Sequence, residues 1–188
     1  MAAGITTLGE NRVQEAEDKV VAVQGAMWHL VGHLQSNKAA RAVRLFDVIE
    51  SVDSVDLAAR LSALAQEERA GRRLPVYLQV NVDRDPQKAG FDPGALETGL
   101  QKLLDLSGLE IRGLMTVGRL ANRPEDARHT FRSLRELSDR LRQADPRLGA
   151  GLSMGMSDDY EVAVEEGATI VRVGRALFGA RVSGVSAG

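Results

Sequence analysis

The sequence predicts an α/β protein in which parallel strands alternate with helices. Short runs of β-type residues alternate with longer amphipathic runs along the chain, and this order is typical of a parallel sheet covered by helices. Seven strands can be counted, whereas a closed (βα)8 barrel needs eight and an open doubly wound sheet tolerates seven. The count leaves both architectures open. No glycine-rich dinucleotide fingerprint follows a strand, since Gly32 and Gly113 lie within strands.

The elements follow one another regularly from the N-terminus. Each predicted strand is a short apolar run bounded by polar or small residues. The strands are Ile5–Leu8, Met27–Leu34, Phe46–Val52, Pro75–Val82, Ile111–Val117, Leu152–Gly155 and Thr169–Val173. Helical spacing of apolar residues, every three or four positions, is clearest in Val55–Ala70 and Glu125–Gln143.

The composition excludes several classes of function. The 188 residues carry a formal net charge of -2 with scattered Lys and Arg, so no patch for nucleic acid or a membrane surface is expected. The absence of cysteine excludes disulfides, thiolate metal sites and cysteine nucleophiles. The N-terminus lacks the pattern of a signal peptide, and no run approaches the ~20 apolar residues that cross a bilayer. We therefore expect a cytoplasmic protein.

The segment from Gly151 to Arg181 is the strongest candidate for a binding site. It contains two successive strand ends that lead through small residues into helices, with Ser157 at one helix start and Gly174 and Arg175 at the other. Helix N-termini present unpaired N–H groups that suit a phosphate dianion, and the last two loops of a (βα)8 barrel often bind phosphate. The alternative is a capped helix beside a tight turn.

Arg172 is expected to point to the inner side of the sheet. Alternation along the last strand places Val171 and Val173 on one face and Arg172 on the other. If the valines face the helices, the guanidinium lies inside, where an unpaired charge is costly. Its partner is then either a ligand or an acidic residue in a structural salt bridge.

Other polar residues are less specific. Gln79 and Asn81 share one face of their strand and either line a pocket or form hydrogen bonds in the core. His29 and His33 stand four apart without a third ligand, which argues against a metal site. Lys38 has the context of a solvated helix residue rather than of a catalytic amine.

Five blocks of sequence resemble the pyridoxal phosphate homeostasis proteins, historically called proline synthase co-transcribed proteins. The blocks are Gly9–Glu15 (GENRVQE), Trp28–Lys38 (WHLVGHLQSNK), Gly113–Thr116 (GLMT), Leu152–Glu161 (LSMGMSDDYE) and Val171–Gly179 (VRVGRALFG). The resemblance runs from about Gly4 to Arg181. It implies a (βα)8 TIM-type barrel of the alanine racemase N-terminal type, with pyridoxal 5′-phosphate at the C-terminal mouth of the strands.

The same resemblance implies the residues of the cofactor site. It assigns the phosphate to Met156, Ser157, Gly174 and Arg175. It places Arg172 against the pyridine nitrogen, and Asn11 and Met115 along the ring.

The chain departs from this family at the lysine that forms the Schiff base. In the family that lysine lies on the first strand, ahead of the block that begins here at Gly9. The lysines of this chain are Lys19, Lys38, Lys88 and Lys102, and none stands in that context. We therefore expect a single barrel domain over residues 1–188 that lacks the first βα unit, by truncation or a misplaced start, with a flexible tail at 182–188. Cofactor binding is expected to be weak and non-covalent.

Three functions are compatible with these features. The first is a non-catalytic carrier or buffer of pyridoxal phosphate that passes the cofactor to apo-enzymes, since a guanidinium beside the ring nitrogen disfavours its protonation and weakens the electron sink. The second is a single-domain racemase or amino-acid lyase. The third is a barrel enzyme that binds another phosphorylated substrate. It predicts a Glu or His base at a strand end, and the sequence shows no clear one.

Overall fold

The strands and helices are defined by a computed structural model that describes residues 4–118 and 123–179. The predicted tail at 182–188 lies outside the described residues. The strands are β1 Thr7–Glu10, β2 Met27–Leu30, β3 Val48–Val52, β4 Leu74–Gln79, β5 Leu109–Met115, β6 Gly151–Met156 and β7 Ile170–Arg172. The helices are α1 Val13–Ala22, α2 Ala39–Leu45, α3 Val55–Glu68, α4 Pro93–Leu104, α5 Arg128–Ala144, α6 Tyr160–Glu165 and α7 Arg175–Phe178. All seven predicted strands are confirmed, with shifted ends.

The sheet forms a nearly closed barrel rather than an open doubly wound sheet. Its strands are parallel and pair in sequence order from β1 to β7, whereas a doubly wound sheet reverses its order. In a flat sheet β3 and β6 would lie roughly 14 Å apart. Instead, the Ser153 hydroxyl on β6 donates to Glu50 Oε2 on β3 at 2.5 Å. The sheet therefore curls until side chains meet across its interior, and within the described ranges β1 and β7 do not pair with each other.

The helices cover the outside of the sheet. The main core lies between the two layers and includes Leu61 of α3, Leu78 of β4 and Leu134 of α5, each fully buried. A second apolar cluster of Val48, Tyr77 and Met115 is separate from it. No helix in the described ranges has the length and apolar character needed to span a membrane.

Two glycines allow the chain segments at the mouth to approach closely. A Cβ on Gly32, after β2, would lie 2.2 Å from the carbonyl oxygen of Asn11, after β1. Gly155 on β6 has a φ of +90°, and its Cβ would lie 2.5 Å from the Cβ of Ala163 on α6. Both positions require glycine because a side chain would displace the neighbouring segment.

Glu166, directly after α6, ties this helix to α5. Its carboxylate forms ion pairs with Arg128 at 3.0 Å, Arg132 at 3.2 Å and Arg135 at 2.9 Å. The hydrogen bond from Arg128 lowers the pKa of Glu166, and Arg132 lowers it further. Ionised Glu166 thereby holds the helix that follows β6 and supports the loop carrying Ser157.

Candidate functional site

The loops after β6 and β7 lie side by side at the C-terminal mouth of the barrel. The Ser157 hydroxyl accepts a hydrogen bond of 3.2 Å from the backbone N–H of Ala176 in the first turn of α7. Arg175 donates to the carboxylate of Asp158 and forms an ion pair with it. The structure thus brings Ser157, Gly174 and Arg175 together, as the sequence predicted.

The Arg175 guanidinium, which was predicted to bind a phosphate, is bound to the carboxylate of Asp158 instead. The side chains of Arg175 and Asp158 are 59% and 66% exposed, and exposed ion pairs contribute only about 0–1 kcal/mol. A phosphate dianion can therefore replace the carboxylate at little cost. The backbone N–H of Met156 is also taken, because it donates to Asp159 Oδ1 at 2.6 Å. Met156 therefore borders the site without a free backbone donor.

Arg172 points into the barrel, which confirms the prediction from alternation. It donates to the Ser153 hydroxyl at 2.7 Å and to the carbonyl of Thr116 at 2.7 Å. Burial lowers the pKa of Arg172, and the charges of Glu50 and Asp159 oppose that shift. A guanidinium has five N–H donors, and among the described residues only these two hydrogen bonds engage it. Donors therefore remain for a ligand.

The carboxylate that faces this arginine was not among the residues predicted from the sequence. Glu50 on β3 is 1% exposed, and its two oxygens contact the Ser153 hydroxyl and His29 Nδ1, each at 2.5 Å. Burial raises the pKa of Tyr77, and Glu50 raises it further. A signal was available, because a glutamate within an apolar strand needs an internal partner.

The two residues assigned to the ring occupy different places. Met115 is fully buried at the end of β5, directly before Thr116, whose carbonyl holds Arg172. Asn11 is exposed after β1 and lines a cleft with His33 and Lys38. The structure therefore brings Met115 close to Arg172, whereas Asn11 follows β1, the first strand of the sheet, and Arg172 lies on β7, the last one.

The amides of Gln79, at the end of β4, and of Asn81, just after it, organise a loop instead of lining a pocket. Gln79 donates to the carbonyl of Ala89 at 3.0 Å, and Asn81 donates to the carbonyl of Asp85 at 2.8 Å. This loop also carries Lys88, whose Nζ donates to the carbonyls of Val117, at 3.2 Å, and Gly118 after β5. Lys88 is therefore a lysine of the mouth, which its position in the loop after β4 indicates once the fold is a barrel.

One histidine that follows a strand end has its ring held by a carboxylate. His33 follows β2, and its Nδ1 lies 3.1 Å from Asp53 Oδ2 after β3. His29 and His33 thus bind different carboxylates, and within the described ranges no group of three or more His, Cys, Asp and Glu is arranged to hold a metal ion.

A wider cleft of about 650 Å³ opens at the opposite end of the barrel. Two of its arginines are already paired: Arg112 with Glu110 at 3.3 Å, and Arg147 with Asp105 at 2.9 Å and Asp145 at 2.8 Å. Ligands of (βα)8 barrels bind at the C-terminal end of the strands. The mouth, which carries Arg172 and Arg175, is therefore the better candidate for a ligand site.

Comparison with known proteins identifies the family of this chain. The family model of the alanine racemase N-terminal domain matches residues 1–182. The chain is 40% identical over 180 residues to the pyridoxal phosphate homeostasis protein of Aquifex aeolicus, covering 95% of this chain and 78% of that protein. The homologue from Synechocystis, with the same name, is 39% identical over 184 residues, covering 96% of this chain and 83% of that one.

A solved structure extends the similarity to three dimensions. PipY of Synechococcus elongatus, solved with PLP bound, superposes with a TM-score of 0.86 at 44% identity, covering 95% of this chain and 84% of PipY. The family model and these relatives cover nearly the whole chain, and the structure contains the seven strands that the sequence predicts. The chain therefore belongs to the pyridoxal phosphate homeostasis proteins, a family with the fold of the alanine racemase N-terminal domain.

Proposed function

We propose that this protein binds pyridoxal 5′-phosphate non-covalently at the mouth of the barrel and acts as a non-catalytic carrier or buffer of the cofactor. The observation that carries the proposal is the pair of joined loops, in which Arg175 holds an exchangeable carboxylate above the inward Arg172. The cofactor bound to PipY and the name of the curated relatives support it. The proposed place of action is the cytoplasm, where apo-enzymes that use the cofactor would receive it.

Each end of the site has a distinct task in this proposal. Arg175, the Ser157 hydroxyl and the backbone at Gly174 hold the phosphate, with Met156 beside them. Arg172 faces the ring nitrogen, while Met115 and Asn11 border the ring. Bound cofactor supplies an electron sink that works best when its ring nitrogen is protonated. A guanidinium at that nitrogen disfavours the proton, which suits storage of the cofactor better than catalysis with it.

The alternative function is a racemase or lyase, and one observation favours it. His33, held by Asp53 at 3.1 Å, has the geometry of an oriented general base at a strand end. The discriminating measurement is exchange of the substrate α-proton with deuterium in the presence of pyridoxal phosphate. Exchange that disappears in His33→Gln would support the enzyme, and no exchange above that of free cofactor supports the carrier.

Equilibrium dialysis tests the binding itself. Pyridoxal phosphate should bind weakly, and millimolar inorganic phosphate should displace it. Arg175→Ala should retain partial binding because the Ser157 hydroxyl and backbone N–H groups remain as donors. Arg112→Ala, which removes an exposed arginine at the other end of the barrel, is the matched control and should bind normally. Binding that phosphate does not displace would contradict the two-loop site.

A further inference from the structure

A continuous chain of hydrogen bonds crosses the barrel interior below the mouth. Arg172 on β7 donates to the Ser153 hydroxyl on β6 at 2.7 Å, and that hydroxyl reaches Glu50 Oε2 on β3 at 2.5 Å. The other oxygen of Glu50 lies 2.5 Å from His29 Nδ1 on β2. Side chains from four strands are therefore linked in one chain, with the Glu50 carboxylate bound directly to Ser153 and His29.

The donor properties of Arg172 fix the direction of the chain as far as Glu50. A guanidinium only donates, so the Ser153 oxygen accepts from Arg172 and its proton is directed at Glu50. An ionised carboxylate only accepts, which satisfies both Ser153 and a proton on His29 Nδ1. Glu50 is thus the counter-ion that reaches Arg172 through the Ser153 hydroxyl, and Asp159 contributes a further negative charge.

This counter-ion is separate from the phosphate end of the site. Arg175 is paired with its own carboxylate, Asp158, at the exposed rim, whereas Glu50 is 1% exposed inside the barrel. A buried guanidinium without a compensating charge is costly. Loss of Glu50 therefore acts on Arg172 first and leaves the rim intact.

We propose that Glu50 is a positioning residue for the ring end of the site: through Ser153 it holds Arg172 as a fixed cationic donor, and so makes the site selective for a ring that carries an unprotonated acceptor nitrogen. This inference rests on the proposed function, because only there does Arg172 meet a ring nitrogen.

The test compares three probes by calorimetry in the 188-residue chain. Pyridoxine 5′-phosphate has the ring nitrogen but no aldehyde, its 1-deaza analogue replaces that nitrogen by C–H, and inorganic phosphate reports on the rim alone. In Glu50→Gln the affinity for pyridoxine phosphate should fall about tenfold, as expected for one hydrogen bond to a charged group. The affinities for the deaza analogue and for phosphate should change less than about twofold by the same reasoning.

A double-mutant cycle separates positioning from a general structural effect. In the Arg172→Met background, Glu50→Gln should produce no further loss of selectivity, because the donor that it positions is gone. Glu110→Gln, which removes an exposed carboxylate paired with Arg112, is the control and should behave as wild type. If Glu50→Gln fails to fold, Ser153→Ala cuts the same link while keeping both charges, and it must show the same selective loss.

The outcomes distinguish failure of the proposed function from failure of the role proposed for Glu50. Failure of the unmodified chain to bind pyridoxine phosphate would overturn the proposed function and this inference with it. Normal binding with unchanged selectivity in Glu50→Gln, or in Ser153→Ala where it is needed, would overturn the inference alone. An equal loss of all three probes would show that Glu50 supports the fold and does not position Arg172.

Discussion

Asp158→Asn should raise the affinity of the mouth for phosphate. The carboxylate of Asp158 holds the Arg175 guanidinium, and both side chains are more than half exposed. A phosphate must displace this carboxylate, which costs at most about 1 kcal/mol, and the amide removes that competition with little change of shape. A gain of 1 kcal/mol corresponds to about fivefold in Kd. We therefore expect an increase in affinity of up to about fivefold for inorganic phosphate and for pyridoxal phosphate.

Equilibrium dialysis at low and high salt measures this effect. The gain should shrink near 1 M salt, where the Debye length is only about 3 Å and exposed charges are screened. Asp139→Asn is the matched control, because it removes the same charge from an exposed position on α5 without touching the mouth. Equal gains in affinity in both variants would show that the effect comes from the change in net charge alone. Weaker binding in Asp158→Asn would refute the reasoning, because it would mean that Asp158 organises the site rather than competing for it.

Three further predictions concern the support of the site and its lysines. Gly155→Ala should lower the unfolding free energy by about 3 kcal/mol through a strained φ and a clash with Ala163, whereas Gly99→Ala, whose Cβ meets open space, should not destabilise in urea titrations. Glu166→Gln should cost roughly 1 kcal/mol at pH 7; because Arg128 lowers the pKa of Glu166, this contribution is present above the unfolded value near ~4.3 and disappears as the pH falls through the folded value, so equal losses in urea midpoint at pH 7 and pH 3 would contradict it. Borohydride should not fix pyridoxal phosphate to a single residue; peptide mapping that finds one stoichiometric site, with Lys88 the first position to inspect, would show that this chain uses another lysine.

Several features of the protein were readable from local sequence. The strands were recognisable because a half-buried strand repeats every two residues, and the same period placed Arg172 opposite Val171 and Val173. The small residues around Ser157 and Gly174 indicated two strand-to-helix loops, because the conformation of a turn depends on residues that are neighbours in sequence. These features depend on residues that are only a few positions apart, so they can be predicted from a single sequence.

Only the tertiary structure decided what these elements face. The curl of the sheet into a barrel is shown by the hydrogen bond between Ser153 and Glu50, which are 103 positions apart in the sequence. Strand counting could not choose between a barrel and an open sheet, because both architectures satisfy the same local pattern. Alternation placed Gln79 and Asn81 inside, but only the fold showed that they bind the loop at Ala89 and Asp85. The hydrogen-bond and ion-pair partners of Arg172 and Arg175 could not be identified from the sequence for the same reason. The sequence shows that a buried charged residue needs a partner. The identity of that partner depends on which distant strands the folded barrel brings within hydrogen-bond distance.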